Sequence, residues 1–172
     1  MKTNTFFGFV FVGIVSLALG VSALRIPGHN YISINPSEFG PRTEECFQIN
    51  SIWELVGNTN CYPYMYAAIQ VPDGVTISKV TFYWKDGASG PDGIVTLIRN
   101  NLDGTRTNLV DVFTNGDANI PSSSSISTSI VVDNSQYAYY LMKGFSDPTI
   151  SLYGVVIEYT YPIYLPFITR IQ

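Results

Sequence analysis

The chain opens on one apolar block and then breaks into short alternations. Residues 6–19 are apolar or small except for Ser16, after a polar start that carries Lys2. Beyond residue 24 no segment repeats its apolar positions at the helical period. The pattern has period two, in bursts separated by turn residues. Residues 31–34 alternate and end at Asn35-Pro36. Residues 66–71 stop at Pro72-Asp73-Gly74, where Pro presets φ and Gly accepts a positive φ. Within 75–85 the apolar phase changes: Val75 and Ile77 share one face, while Val80, Phe82 and Trp84 share the other. One extra residue near Ser78-Lys79, a β-bulge, reconciles the two phases. Residues 94–99 and 106–114 read as strands joined through Asp103-Gly104. Asn115-Gly116 and the polar stretch to Ser125 read as a long surface loop. Ile126, Thr128, Ile130 and Val132 then alternate as a half-buried strand, and Asp133-Asn134 turns the chain into 137–142. After Ser146-Asp147-Pro148, residues 150–161 form the longest strand, with Tyr153, Val155, Ile157 and Tyr159 on one face.

About eight strands at this spacing, with no crossover helix, predict an all-β fold: an antiparallel β-sandwich, jelly-roll-like. An immunoglobulin-like sandwich is the alternative. The short spacing of Cys46 and Cys61 does not suit the inter-sheet bridge of that fold.

The first block sets the compartment. Residues 1–23 have the three-part layout of a secretory signal peptide, and Val21-Ser22-Ala23 places cleavage after Ala23. The expected product is secreted or held at the cell surface. In the other reading residues 6–24 stay as an uncleaved anchor, the one case in which the membrane is a partner. The expected organisation is 1–23 leader, 24–161 a single sandwich domain, and 162–172 an apolar tail.

Charge removes some function classes. The chain has 9 basic and 13 acidic residues, net −4. Charged residues are 13% of it, about half the usual ~25%. No basic stripe is present to neutralise phosphates, so nucleic acid is not an expected partner.

In an oxidising compartment Cys46 and Cys61 most economically pair as a disulfide, closing a loop of about 15 residues worth ~3 kcal/mol in the chain-entropy model. A metal pair or a reactive thiol is the rival reading. No cofactor is expected. Calcium has one candidate place, where Asp86 and Asp92 bracket a Gly-rich loop whose carbonyls can add ligands; two aspartates in a surface turn explain the same residues.

Catalytic machinery is thin. His29 is the one histidine and stands near the expected mature N-terminus. Gly87-Ala88-Ser89-Gly90 lacks the second spacer of a nucleophile elbow. The acids available for a glycosidase pair are Glu38, Glu44, Glu45, Glu54, Glu158 and several aspartates, most of which turn formation already explains.

Aromatics point to binding instead. They are 14% of the chain, and Tyr62, Tyr64 and Trp53 sit in or beside the expected disulfide loop. Rings held on a rigid loop stack on sugars at small entropic cost, although core packing is the other use of such rings. The tail residues Tyr164, Leu165, Phe167 and Ile168 are apolar and extended by their prolines. They could be lent to a neighbouring copy as an added strand or packed on their own domain.

The segments 71–83, 132–140 and 152–159 together resemble a group of exported bacterial β-sandwich proteins of unknown function. The ending Tyr164-Leu165-Pro166-Phe167-Ile168-Thr169-Arg170 is similar to short C-terminal tails of some exported bacterial proteins. The resemblance implies a sandwich and an exported location, and it carries no catalytic residues. The leading expectation is a non-enzymatic, exported structural or adhesive cell-surface protein, self-assembling as a homo-oligomer or polymer through its terminal segments. The alternative is a carbohydrate-binding module with a glycan partner at Trp53, Tyr62 and Tyr64. A hydrolase comes third.

Overall fold

The computed structural model describes residues 28–41, 47–49, 54–57, 64–90, 92–116 and 119–163. The leader expected at 1–23, Cys46, Cys61, Trp53, Tyr62, Tyr164, Leu165, Phe167 and Ile168 lie outside the described residues.

Eleven strands are described: β1 (Asn30–Ile34), β2 (Gly40–Pro41), β3 (Phe47–Ile49), β4 (Leu55–Gly57), β5 (Met65–Ala68), β6 (Thr76–Lys85), β7 (Gly93–Asn101), β8 (Arg106–Phe113), β9 (Pro121–Val131), β10 (Tyr137–Phe145) and β11 (Ser151–Thr160). All pairings are antiparallel. They form two sheets. One runs β3-β4-β11-β6-β9, with β1 also pairing β11; the other runs β2-β5-β10-β7-β8. Because β6 lines one edge of β11 throughout, β4 and β1 share its other edge, at Ser151–Leu152 and at Val155–Tyr159. From β5 onward only β7 and β8 are joined as a hairpin within one sheet. Every other connection changes sheet, which gives the antiparallel jelly-roll-like sandwich.

Alternation explains the core. Ile77, Val80, Phe82 and Trp84 of β6 and Leu152, Val155 and Ile157 of β11 point inward and are buried. They meet Val95, Leu97, Leu141 and Phe145 of the opposite sheet. Phe82 and Phe145 stack across the gap with centroids 6.4 Å apart. The phase change in β6 is a bulge at Ser78: pairing skips from Ile77 to Lys79 against both neighbours, and the Ser78 hydroxyl donates to the Glu158 carbonyl at 3.2 Å.

Two sequence readings are corrected. Residues 122–125 are strand rather than loop, paired with Trp84, Tyr83, Phe82 and Thr81. A run of serines has no apolar period to detect, and its pairing comes from β6. Tyr153 does not share the face of Val155, Ile157 and Tyr159. The register shifts between Leu152 and Gly154, so Tyr153 is the bulged residue and Leu152 takes the core position.

Candidate functional site

The five-stranded sheet has a second face, turned away from the core, and it is built largely of apolar and aromatic side chains. Cross-strand registers arrange it in rungs. Tyr66, Met142, Thr96 and Asp111 form one, on β5, β10, β7 and β8. Ala68, Tyr140, Ile98 and Asn108 form the next, followed by Ala138, Asn100 and Arg106. Ile98 and Met142 are buried yet stand apart from the core cluster, as outward side chains would. The Thr96 hydroxyl donates to the Asp111 carboxylate at 2.7 Å, which satisfies the one buried hydroxyl in the middle rung. Tyr66 and Tyr140 meet edge to face with centroids 5.8 Å apart.

The remaining rung holds the exposed rings. Lys143 pairs with Met65, so Tyr64 stands beside Gly144. A β-carbon on Gly144 would come within 3.2 Å of Tyr64 Cε1 and of Ile94 Cγ2. The Tyr64 ring therefore rests over backbone that glycine leaves bare. Ile94 pairs with Gly144 on one side and with Phe113 on the other. Tyr64 is 51% exposed and Phe113 47%. The rung spans three strand spacings, about 14 Å.

Rings of this kind offer flat apolar area at small entropic cost. Asp111, Asn108, Asn100 and Arg106 bring carboxylate, amide and guanidinium groups onto the same face, where they can exchange hydrogen bonds with hydroxyls. Among the described residues, the groups with displaced pKa values lie elsewhere. Asp103 and Asp147 are held low by their hydrogen bonds to Thr105 and Thr149. Tyr153 and Tyr159 are raised, chiefly by burial. Lys143 is on the core side.

Of the residues singled out from sequence, Tyr64 is on this face. Tyr66, Tyr140, Phe113 and Gly144 were missed. Residues 94–98, apolar at four of five positions and so on both alternating faces, were the available sign that this sheet is covered or used on both sides.

The two aspartates proposed for calcium sit at one end of the sandwich. Asp86 is fully buried; one carboxylate oxygen accepts from the Ala88 amide at 2.9 Å and the other has no hydrogen-bond partner among the described residues. Asp92 accepts from the Ser146 hydroxyl at 3.3 Å. Among the described residues no group of three or more His, Cys, Asp and Glu side chains gathers to hold a metal. His29 meets a carboxylate, Glu158, which also faces Lys79 at 3.7 Å. Glu38 closes a capping box on a short 3-10 turn (Pro36–Glu38). The buried Glu54 faces the Tyr153 hydroxyl at 3.5 Å.

No family model matches the chain, and no curated protein matches it by sequence. Solved structures match by fold. The C-terminal CBM6 of LamC, a marine laminarinase from Zobellia galactanivorans, superposes with a TM-score of 0.50 at 12% identity, over 74% of this chain and 98% of that one. A mutant of a carbohydrate binding module of family 29 is similar at a TM-score of 0.46 and 10% identity, over 76% of this chain and 92% of that one. At 12% identity the likeness to the CBM6 shows the fold alone, a β-sandwich.

Proposed function

We propose that the protein is an exported, non-catalytic β-sandwich that adheres to carbohydrate through the outward face of its five-stranded sheet. The observation that carries this is the Tyr64 ring, half exposed over Gly144 and in one rung with the exposed Phe113. Solvent-facing rings beside two amides, a carboxylate and a guanidinium suit a sugar chain, which offers apolar C–H faces and a border of hydroxyls. The likeness in fold to a module named for carbohydrate binding agrees with this reading. The leader-like N-terminus supports an exported location. The non-catalytic part rests on the face itself: among the described residues its one acid, Asp111, already accepts from the Thr96 hydroxyl.

The test is a panel of neutral and acidic polysaccharides in affinity electrophoresis, followed by titration calorimetry on the best of them. Tyr64→Ala is expected to weaken binding at least tenfold, with the circular dichroism spectrum unchanged. Phe113→Ala is expected to weaken it less, because Phe113 forms the far end of the rung. A blank panel, or a Tyr64→Ala variant that binds as the parent does, refutes the proposal.

A further inference from the structure

We infer that β9 is a self-pairing edge, through which two copies of this chain join their six-stranded sheets into one antiparallel sheet. A strand at a sheet edge leaves half of its backbone N–H and C=O groups without a ladder partner, and proteins usually guard such edges with charge, proline or bulges. The two long edge strands differ in this respect. β8, the edge of the five-stranded sheet, carries Arg106 and Asp111 and is bulged at Leu109, where pairing to β7 shifts. β9 has no charged residue along its eleven positions. Its only proline is Pro121 at the first position. Its register to β6 is regular from Pro121 to Ser127, and the shift comes only beyond that stretch.

Residues of both alternating faces of β9 are exposed, including Ile126 at 41% and Val131 at 65%, with Ile120 just before the strand at 60%. Among the described elements, β9 makes its main contacts with β6, its ladder partner, and with β8 of the other sheet, and β6 is the one strand that hydrogen-bonds to it in a sheet.

The lack of charge also selects the occupant. In antiparallel pairing about a twofold axis, residues near the axis face their own copies, and like charges directly opposite destabilise the pair. A strand reading Pro-Ser-Ser-Ser-Ser-Ile-Ser meets itself with small, neutral side chains, which fits a second copy better than a charged foreign strand. The twofold axis of such pairing stands perpendicular to the joined sheet. Both five-stranded sheets then lie on the same side of it, and both Tyr64 faces look the same way. If the carbohydrate reading above holds, the pair is bivalent toward a polysaccharide surface, and binding there gains from effective concentration.

The full chain, expressed with its own leader and purified, is measured by sedimentation velocity over micromolar to hundred-micromolar concentrations. Expected is a concentration-dependent species of twice the protomer mass. Ser125→Lys places like charges near the axis and is expected to shift dimer dissociation upward by at least tenfold. Thr107→Lys on the guarded edge leaves dissociation unchanged. Hydrogen exchange separates pairing from unfolding: amides of residues 122–127 exchange faster in Ser125→Lys, while those of the central β11 stay protected. A monomer throughout the range, or a dimer that Ser125→Lys leaves intact, overturns the inference. Loss of glycan binding with the dimer intact would count against the carbohydrate reading alone. For the variant, unchanged affinity for soluble oligosaccharide with weaker retention on immobilised polysaccharide is the expected signature of lost bivalency.

Discussion

Lys143 shows how one residue can escape its ordinary chemistry. Alternation in β10 sends it inward with Leu141 and Phe145, and its ammonium nitrogen is buried without a hydrogen-bond partner among the described residues, 3.4 Å from the centroid of the Phe145 ring. The ring favours the charged form, but loss of water dominates and lowers the lysine pKa from 10.5 to about 7. Between about 7 and 10.5 the unfolded chain holds a proton that the folded one lacks. Stability therefore rises with pH through that window, by about 1.4 kcal/mol per unit at most, and is lowest below pH 7. Urea melts at pH 7 and about pH 9, before the tyrosines titrate, are expected to show the rise. Lys143→Met is expected to be more stable than the parent at pH 7 and to have lost most of this slope. A parent whose midpoint is flat over the window would show that the amine reaches water or an anion. Gly144, the next residue, works on the opposite face. Gly144→Val would push at Tyr64 and Ile94, both 3.2 Å from its added β-carbon. The Tyr64 ring should then lift, and glycan binding should fall as it does in Tyr64→Ala.

At the scale of elements, bulges and close approaches set which side chains face where. The bulge at Ser78 lets Ile77 and Val80 both reach the core, and this was legible from the broken alternation in β6. The bulge at Tyr153 was not, because a tyrosine is equally at home on either face of a strand. The start of β9 was missed for a related reason: Ser122–Ser125 owe their conformation to the partner strand and not to their own pattern, with the Trp84 indole donating to the Ser124 hydroxyl at 3.1 Å. The start of β7 is a close approach. Gly93 donates its amide to the Thr114 hydroxyl at 3.0 Å, and an added β-carbon would lie 2.7 Å from Thr114 Cγ2 and 3.1 Å from Ile150 Cγ2. Thr114 and Ile150 are both buried and have little room to yield. Gly93→Ala should therefore cost about 1–3 kcal/mol in urea denaturation. A change within 0.5 kcal/mol would mean that this corner of the sandwich repacks freely.

At the scale of the molecule, the alternation of the chain between sheets has kinetic consequences. Strands that pair side by side, such as β6 with β11 or β5 with β10, are far apart in sequence, so loop closure must precede most of the stabilising contacts. Refolding from urea is expected in milliseconds to seconds, not microseconds, by stopped-flow tryptophan fluorescence. The buried Trp84 is one reporter of core formation.

The period-two pattern and the turn residues were enough by themselves to determine an all-β sandwich and most of its longer strands, because alternation and turn chemistry are local. The leader-like start was likewise a local signal, and it remains an expectation about export. Which strands pair, which face of the five-stranded sheet carries Tyr64, and which described strands end each sheet were decided by the tertiary structure. Register joins residues such as Tyr64, Gly144, Ile94 and Phe113 across four chain segments. The burial that sets Lys143 apart comes from a facing sheet that no local window contains.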